Sequence, residues 1–265
     1  MNLRLGKCVI LVTGGSRGIG RTIVEDLLKE GACVSTCARN MPELELLRDS
    51  LSESVRSRLI IQECDVRSPE AVRRVVDHTI QQFGRLDGVV TNAGSGISGR
   101  VLETPLDGWV SQYEIKLLSV INTIQAAVPY LRQAEAGRVV IMNGVTAYVP
   151  DREMAAVSAS RAAVSQVAHM LAEDLAADGI CVNAVNIGVI ETSRQIDRYK
   201  ISGSSLNYAA WAKKEAERRG IALGRFGRVE EVSPIVLLLL SPLSSYITGS
   251  SIDVAGGHSS QGLIV

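Results

Sequence analysis

The 265-residue sequence predicts a doubly wound α/β fold, a seven-stranded parallel sheet with helices on both faces. Three observations predict it. Short apolar runs alternate with longer helical patterns along the chain, the order expected of strand–helix–strand units. The apolar runs are continuous rather than interleaved with polar residues, as strands buried on both faces are. A glycine cluster follows the first run and opens the first helical stretch.

Each element has its reason in the residues. Strand-like runs fall at 8–12, 33–37, 59–63, 86–91, 138–142, 181–186 and 251–254. Helical stretches fall at 19–29, 69–83, 109–134, 155–177 and 230–240. Ser68 before Pro69 makes a good start, because serine caps a helix and proline suits its first turn. Gly31 and Gly84 follow helical stretches and suit the left-handed residue that closes a helix. Right-handed crossovers join parallel strands. No repeat, low-complexity tract or linker interrupts the pattern, so residues 1–265 read as one domain. Segment 193–220 breaks the rhythm: it is polar, then helical over 209–219, and follows a strand end, where an insertion lies over a ligand crevice.

Lys plus Arg equals Asp plus Glu at 28 each, so no net field draws nucleic acid or an anionic membrane. Residues 1–11 reach the first apolar run without a small-residue cleavage site, unlike a signal peptide. The longest apolar run, 235–240, is too short to span a bilayer. A cytoplasmic protein is expected. Cys8, Cys33, Cys37, Cys64 and Cys181 lie in or beside strand-like runs without metal-ligand spacing. They read as buried reduced thiols, with no metal site.

The first strand runs into Thr13-Gly14-Gly15-Ser16-Arg17-Gly18-Ile19-Gly20 and then a helix. Such a turn lets backbone approach a pyrophosphate, which the helix N-terminus stabilises. The second strand ends Cys37-Ala38-Arg39-Asn40, without the carboxylate that would hold the ribose hydroxyls of NAD. Arg39 and Arg17 instead suit a 2′-phosphate, favouring NADP(H).

These motifs, taken with others in order, resemble a classical short-chain dehydrogenase/reductase over nearly the whole chain, and so a Rossmann-like fold. Cys64-Asp65-Val66 resembles the family's adenine contact, and Asn92-Ala93-Gly94 its fourth-strand motif. The run from Val182 through Ile187 to Gly188 resembles the nicotinamide-side loop, with Ile187 where proline is usual. Gly188, Ile190 and Thr192 are the cofactor positions it implies, Thr192 matching the carboxamide contact. Gly224-Arg225-Phe226-Gly227 and Tyr246-Ile247-Thr248-Gly249 also match late family motifs. The resemblance implies a homotetramer, paired through the 109–134 and 155–177 helices and through C-terminal segments.

Reducing a ketone needs a hydride and a proton. The family takes the proton from a tyrosine, with a lysine four residues later, a serine on the carbonyl and an asparagine that organises water. Here Val157 stands at the tyrosine position, Arg161 at the lysine, Gly144 at the serine and Lys116 at the asparagine. Valine and glycine transfer no proton, and the pKa of arginine is too high to relay one. Arg161 keeps the role of bonding ribose hydroxyls. Tyr148, nine residues before Val157, lies off the expected helical face.

A substrate needing hydride but no proton, such as a cationic iminium, fits these losses. Its counter-ion would be Asp151 or Glu153, in the loop before the 155–177 helix. The pattern also resembles the fungal indole-alkaloid reductases that double as Diels–Alderases, which use an aspartate in this loop and a basic residue at the asparagine position. Asp151 and Lys116 are the matching residues, with lysine where arginine is usual. The resemblance implies NADPH-dependent iminium reduction followed by cycloaddition. Two other readings stand beside it: a non-redox isomerase or cyclase holding NADP(H) structurally, and a non-catalytic binding protein. The pocket is expected to be roomy and apolar and to hold a bulky substrate, with walls from Ser95-Gly96-Ile97, Gly144 to Thr146, Asp151, Val157, Ile187 to Ile190 and segment 193–220. Tyr199, Tyr208 and Trp211 are candidates to stack on the substrate.

Overall fold

The structure is a computed structural model that describes residues 2–258; Met1 and residues 259–265 of the expected domain lie outside the described residues. The chain alternates as the sequence predicts. β1 (Val9–Thr13) leads to α1 (Gly18–Lys29), β2 (Cys33–Ala38), α2 (Met41–Asp49), α3 (Glu53–Arg56), β3 (Leu59–Glu63), α4 (Pro69–Phe83) and β4 (Gly88–Thr91). There follow α5 (Leu106–Tyr113), a π-helical turn (Glu114–Leu118), α6 (Ser119–Leu131), β5 (Arg138–Gly144), α7 (Ala155–Asp174) and β6 (Cys181–Ile187). The insertion supplies α8 (Ser193–Ile201) and α9 (Tyr208–Arg218), before α10 (Ser233–Leu240) and β7 (Ser251–Val254).

The seven strands are parallel in the order β3-β2-β1-β4-β5-β6-β7. Successive side chains of a strand point to opposite faces, so each apolar strand feeds two cores. Val9 and Leu11 of β1 enter one core; Ile10 and Val12 enter the other. β5 splits likewise, with Val139 and Ile141 on one side and Val140 on the other. The first core is closed by α4, α6 and α7, the second by α1 and α10. This explains why the strand runs carry no polar alternation.

Local signals act as expected at α4, whose Ser68 hydroxyl accepts from the Ala71 N–H at 3.2 Å, and whose C-cap Gly84 adopts φ 75°. Three expectations need correction. The 109–134 helix starts earlier, at Leu106, and is broken by the π turn. The 155–177 helix ends at Asp174 and tightens into a 3₁₀ turn at Ala176–Asp178. α2, α3 and α8 add to the expected helices, because their charged faces hide the apolar period. Of the cysteines, Cys37, Cys64 and Cys181 are buried and Cys8 and Cys33 half-buried, all with free thiols. Among the described residues no helix is long and apolar enough to cross a membrane, and no cluster suits a metal.

Candidate active site

Strand order reverses between β1 and β4, so helices leave opposite faces of the sheet there and a crevice opens beyond the strands' carboxyl ends. The Thr13 hydroxyl accepts from the N–H groups of Asn92 and Ala93 at 3.0 and 3.1 Å. The Asn92 side-chain amide donates to the carbonyls of Thr13 and Gly14, both at 3.0 Å. These bonds staple the glycine turn to β4. The turn is drawn so tight that a Cβ at Gly20 would lie 2.2 Å from the Gly14 carbonyl oxygen. No side chain caps α1, which leaves its first N–H groups for an anion. Gly14 itself holds φ 73°.

One cleft of about 850 Å³ gathers every expected cofactor position, from Gly14 and Ser16 through Gly20 to Arg39, Asp65, Val66, Asn92, Ala93, Gly94, Gly188, Ile190 and Thr192. Arg161 and Lys116 line it too. At its outer end Arg17 and Arg39 are exposed. Glu43, not singled out from sequence, accepts from the Ser16 hydroxyl at 2.9 Å and stands 3.8 Å from Arg17. The glycine cradle, the uncapped helix and the two arginines fit a dinucleotide with a 2′-phosphate.

The inner end is built from cations. Arg161 lies on α7 one turn after Val157, and both line the cleft. A Cβ at Gly144 would lie 1.9 Å from Arg161 Nη1, so the guanidinium fills the volume that a serine side chain at 144 would need. Its Nε and Nη1 are buried with no hydrogen-bond partner among the described residues. Burial first, then the charge of Arg194, holds Arg161 down to about 10. Lys116 sits on the π turn. A Cβ at Gly94 would lie 2.7 Å from its ammonium nitrogen, so the amine occupies the space beside this glycine. Burial, then Arg161 and Arg194, pushes the Lys116 pKa well below the lysine range. The Asn143 side-chain amide donates to the Arg161 carbonyl at 3.2 Å and to the Ser165 hydroxyl at 3.0 Å, tying α7 to β5.

Other expected positions fall elsewhere. Asp151 does not line this cleft. It lines a second cavity of about 860 Å³ beside Trp109, Tyr148 and Ala159, and its carboxylate accepts from Arg219 at 3.0 Å. The carboxylate expected to hold a cation is therefore taken by a residue of the insertion. Glu153 is exposed and paired with Arg100 at 2.8 Å. Tyr148 lines the same second cavity and donates to Asp253. Ile97 packs toward Gly108 rather than lining the cleft. Tyr199, Tyr208 and Trp211 stack on one another with centroids 5.5–5.8 Å apart, and Trp211 meets Phe226 at 6.0 Å. They form a small core for the insertion, because aromatic faces gain more from each other than from an open cleft. The expected apolar pocket is corrected too: Gly144 opens no space, and Arg194, Arg198 and Arg219 join Lys116 and Arg161 on the walls. The sequence signal for the first two was their spacing of four.

A profile of the family described as enoyl-(acyl carrier protein) reductase matches residues 14–259. The chain belongs to the short-chain dehydrogenase/reductase family. It is 37% identical to a chloroplastic tropinone reductase homolog of Arabidopsis thaliana, over 95% of this chain and 76% of that protein. It is 32% identical to the rhamnolipids biosynthesis 3-oxoacyl-(acyl-carrier-protein) reductase of Pseudomonas aeruginosa, over 94% and 95%. Among solved short-chain structures, an NADPH-bound oxidoreductase of Pseudomonas aeruginosa PAO1, described as containing an atypical catalytic center, is 35% identical with a TM-score of 0.89, covering 94% of this chain and 96% of that one. L-Sorbose reductase from Gluconobacter frateurii, complexed with NADPH and L-sorbose, is 27% identical with a TM-score of 0.93, covering 98% and 99%.

Proposed function

We propose that this chain is an NADPH-dependent oxidoreductase of non-standard mechanism that reduces a polarised carbonyl. The observation that carries the reading is the Arg161 guanidinium in the space beside Gly144, with two buried N–H-bearing atoms lacking partners. Unpaired buried donors are costly, and an oxyanion forming in front of them removes that cost. NADPH, when bound, supplies the hydride. Gly14 and Ser16 to Gly20 would hold its pyrophosphate, Arg17 and Arg39 its 2′-phosphate, and Asp65 and Val66 its adenine. Asn92 to Gly94, Gly188, Ile190 and Thr192 would hold the nicotinamide side.

In this reading Arg161 aligns the substrate oxygen and stabilises the charge developing on it, a role usually worth about 10²–10³ in rate per donor. Lys116 gives the proton. Its lowered pKa makes the ammonium a stronger acid than an ordinary lysine, as acid catalysis near neutrality requires. Val157 supplies an apolar wall that keeps water off.

The iminium and cycloaddition expected from sequence lose their support. A cation would meet Lys116, Arg161 and Arg194, while the Asp151 carboxylate is engaged by Arg219. Asp151 is instead a positioning residue that fixes the α9 end of segment 193–220, which serves as a lid. The assembly proposed is a homotetramer; Leu106 and Val110 on α5, Leu118 on the π turn and Met170 on α7 are exposed apolar side chains on the helices it would pair.

Mixing the protein with NADPH and a panel of aldehydes and ketones tests the reading by loss of nicotinamide absorbance. Deuterium from 4-deuterated NADPH should appear on the product carbon. Conversion without NADPH loss would make the chain an isomerase or cyclase. No conversion, with NADPH bound, would make it a binding protein.

A further inference from the structure

Three glycines on the cleft walls each mark a cation beside them. The Cβ positions of Gly94 and Gly144 fall against Lys116 and Arg161, and that of Gly96 falls 2.8 Å from Arg194 Nη2. The same Gly96 point lies 3.2 Å from Val157 Cγ2 and 3.4 Å from Met154 Cε. Arg194 therefore reaches from α8 to the Val157 side chain on α7, one turn before Arg161. Its Nη2 donates to the Gly96 carbonyl at 2.6 Å, which anchors the guanidinium there. Just before α8, Thr192 Cγ2 sits against the glycine turn, 3.4 Å from the Cβ position of Gly18. The start of α8 thus lies over the cofactor turn while its arginine extends to the inner end.

The bond to Gly96 uses one of the five N–H groups of Arg194. The residue is otherwise exposed and lines the cleft. Asp197 lies one turn further along α8 and lines the same cleft, yet among the described residues no ion pair joins it to Arg194. Asp151, in the loop before α7, is held by Arg219 at 3.0 Å. Lys116 and Arg161 form no ion pair among the described residues either. The inner end thus gathers three cations, none with an acidic side chain in ion-pair reach. Arg161 serves the oxyanion and Lys116 the proton; Arg194 has no part in that chemistry. Charges of one sign in a poorly hydrated site repel strongly, so an anion placed among them is strongly held.

We propose that Arg194 is the specificity-determining residue of this site, that it binds a carboxylate of the substrate, and that the substrate is a short oxo acid. This rests on the reductase reading above. A guanidinium presents two parallel N–H groups that match a carboxylate. Val157 sets the spacing, because residues four apart on a helix have Cβ atoms about 5–6 Å apart. A carboxylate on Arg194 and a carbonyl oxygen on Arg161 then belong to groups a few carbons apart at most. The balanced reaction takes an oxo acid, NADPH and one proton to a hydroxy acid and NADP⁺. A C–H bond forms at the carbonyl carbon from the hydride, and the carbonyl π pair moves to the oxygen beside Arg161. That oxygen takes the Lys116 proton, and solvent reprotonates the amine. The carboxylate stays on Arg194 throughout.

The test uses the full chain saturated with NADP⁺ and titration calorimetry, so that binding is read without turnover. The ligands are 2-oxo, 3-oxo and 4-oxo acids of about five carbons, their methyl esters, and an acid of about ten carbons with its ketone at the far end. At least one short acid should bind ten or more times tighter than its ester and than the long acid. Arg194→Met should erase both differences while leaving the NADPH dissociation constant within twofold, and Arg194→Lys should restore part of them. Gly96→Ala keeps the charge but puts a Cβ 2.8 Å from the guanidinium, so it should cut the preference for the acid at least threefold. Unchanged thermal melting shows that the variants fold. Equal binding of short acid and ester, a long acid bound as tightly as the short ones, or no binding by any short acid would overturn the subsite. So would a main effect of Arg194→Met on NADPH, the mark of a pyrophosphate contact. The reductase reading fails separately: Arg194-dependent acid binding with no NADPH oxidation sinks that reading and keeps the subsite. Plain ketones reduced as well as every oxo acid sink the subsite and keep the reductase.

Discussion

The two ends of the cleft are made in opposite ways. The cofactor end is made by subtraction: Gly14 and Gly20 remove side chains until backbone meets backbone, and Asn92 ties the result to β4. The inner end is made by addition. Gly94 and Gly144 also lack side chains, but each vacancy is filled by a cation from a neighbouring element, Lys116 or Arg161. The same residue type thus opens space for a ligand at one end and for a charged side chain at the other. A glycine in a cleft tells what is near only once the neighbour is known.

The largest effect should come from closing the subtracted end. Gly20→Ala places a Cβ 2.2 Å from a backbone oxygen that cannot swing away. NADPH affinity should fall at least 100-fold, read by nicotinamide fluorescence; binding within threefold of the parent would refute the cradle.

At the added end, Arg161→Ala should lower kcat by about 10²–10³ with NADPH affinity changed less. Gly144→Ser should act almost as strongly, because its Cβ must displace the guanidinium, at a stability cost of about 1–3 kcal/mol. Combining Gly144→Ser with Arg161→Lys should cost less stability than the two changes summed, as contacting residues couple. Additive melting shifts would show that the two positions do not share one volume.

Lys116 gives a prediction with two signs. Reduction needs its ammonium form, so kcat should fall as pH rises through a pKa well below the lysine range. Lys116→Arg should move that fall to higher pH. For stability, a depressed folded pKa means that the unfolded chain holds this proton more tightly. Stability gained above the unfolded pKa is therefore lost as pH falls through the folded one. Lys116→Met removes the cost and should raise Tm by a few degrees at neutral pH, roughly 1 kcal/mol, while kcat falls. A lower Tm would mean that other contacts of the amine outweigh the burial of its charge.

The smallest effect belongs to Glu43, which shares Arg17 with the 2′-phosphate site. Exposed pairs are worth about 0–1 kcal/mol, so Glu43→Gln should tighten NADPH two- to threefold. Weaker binding would make Glu43 part of the cradle.

The same contrast governs what the sequence reveals. Strands, sheet class and the glycine turn are legible because they obey local rules: apolar runs, a capping serine, glycines before a helix. Every expected cofactor position falls in one cleft. The inner end depends on tertiary packing, which local spacing does not report. Gly144 and Arg161 lie seventeen apart in number and share one pocket of space, so each reads alone as a loss. Asp151 reads as a free carboxylate until Arg219, on the far side of the insertion, is brought to it. The aromatic residues of 193–220 read as ligand contacts because their mutual stacking is invisible in one dimension.

The π turn that carries Lys116 has one further consequence. Such a turn is an α-helix with one residue too many, held in place by neighbours. Deleting a single residue within Glu114–Leu118 would rewind it into a continuous α-helix. The π turn absorbs its extra residue by winding less per residue, so α5 and α6 would keep both their lengths and their faces, and only the side chains of the turn would shift. The helix could thus be changed by the shortest possible edit, one codon, that retires the amine from the cleft without replacing any residue in it.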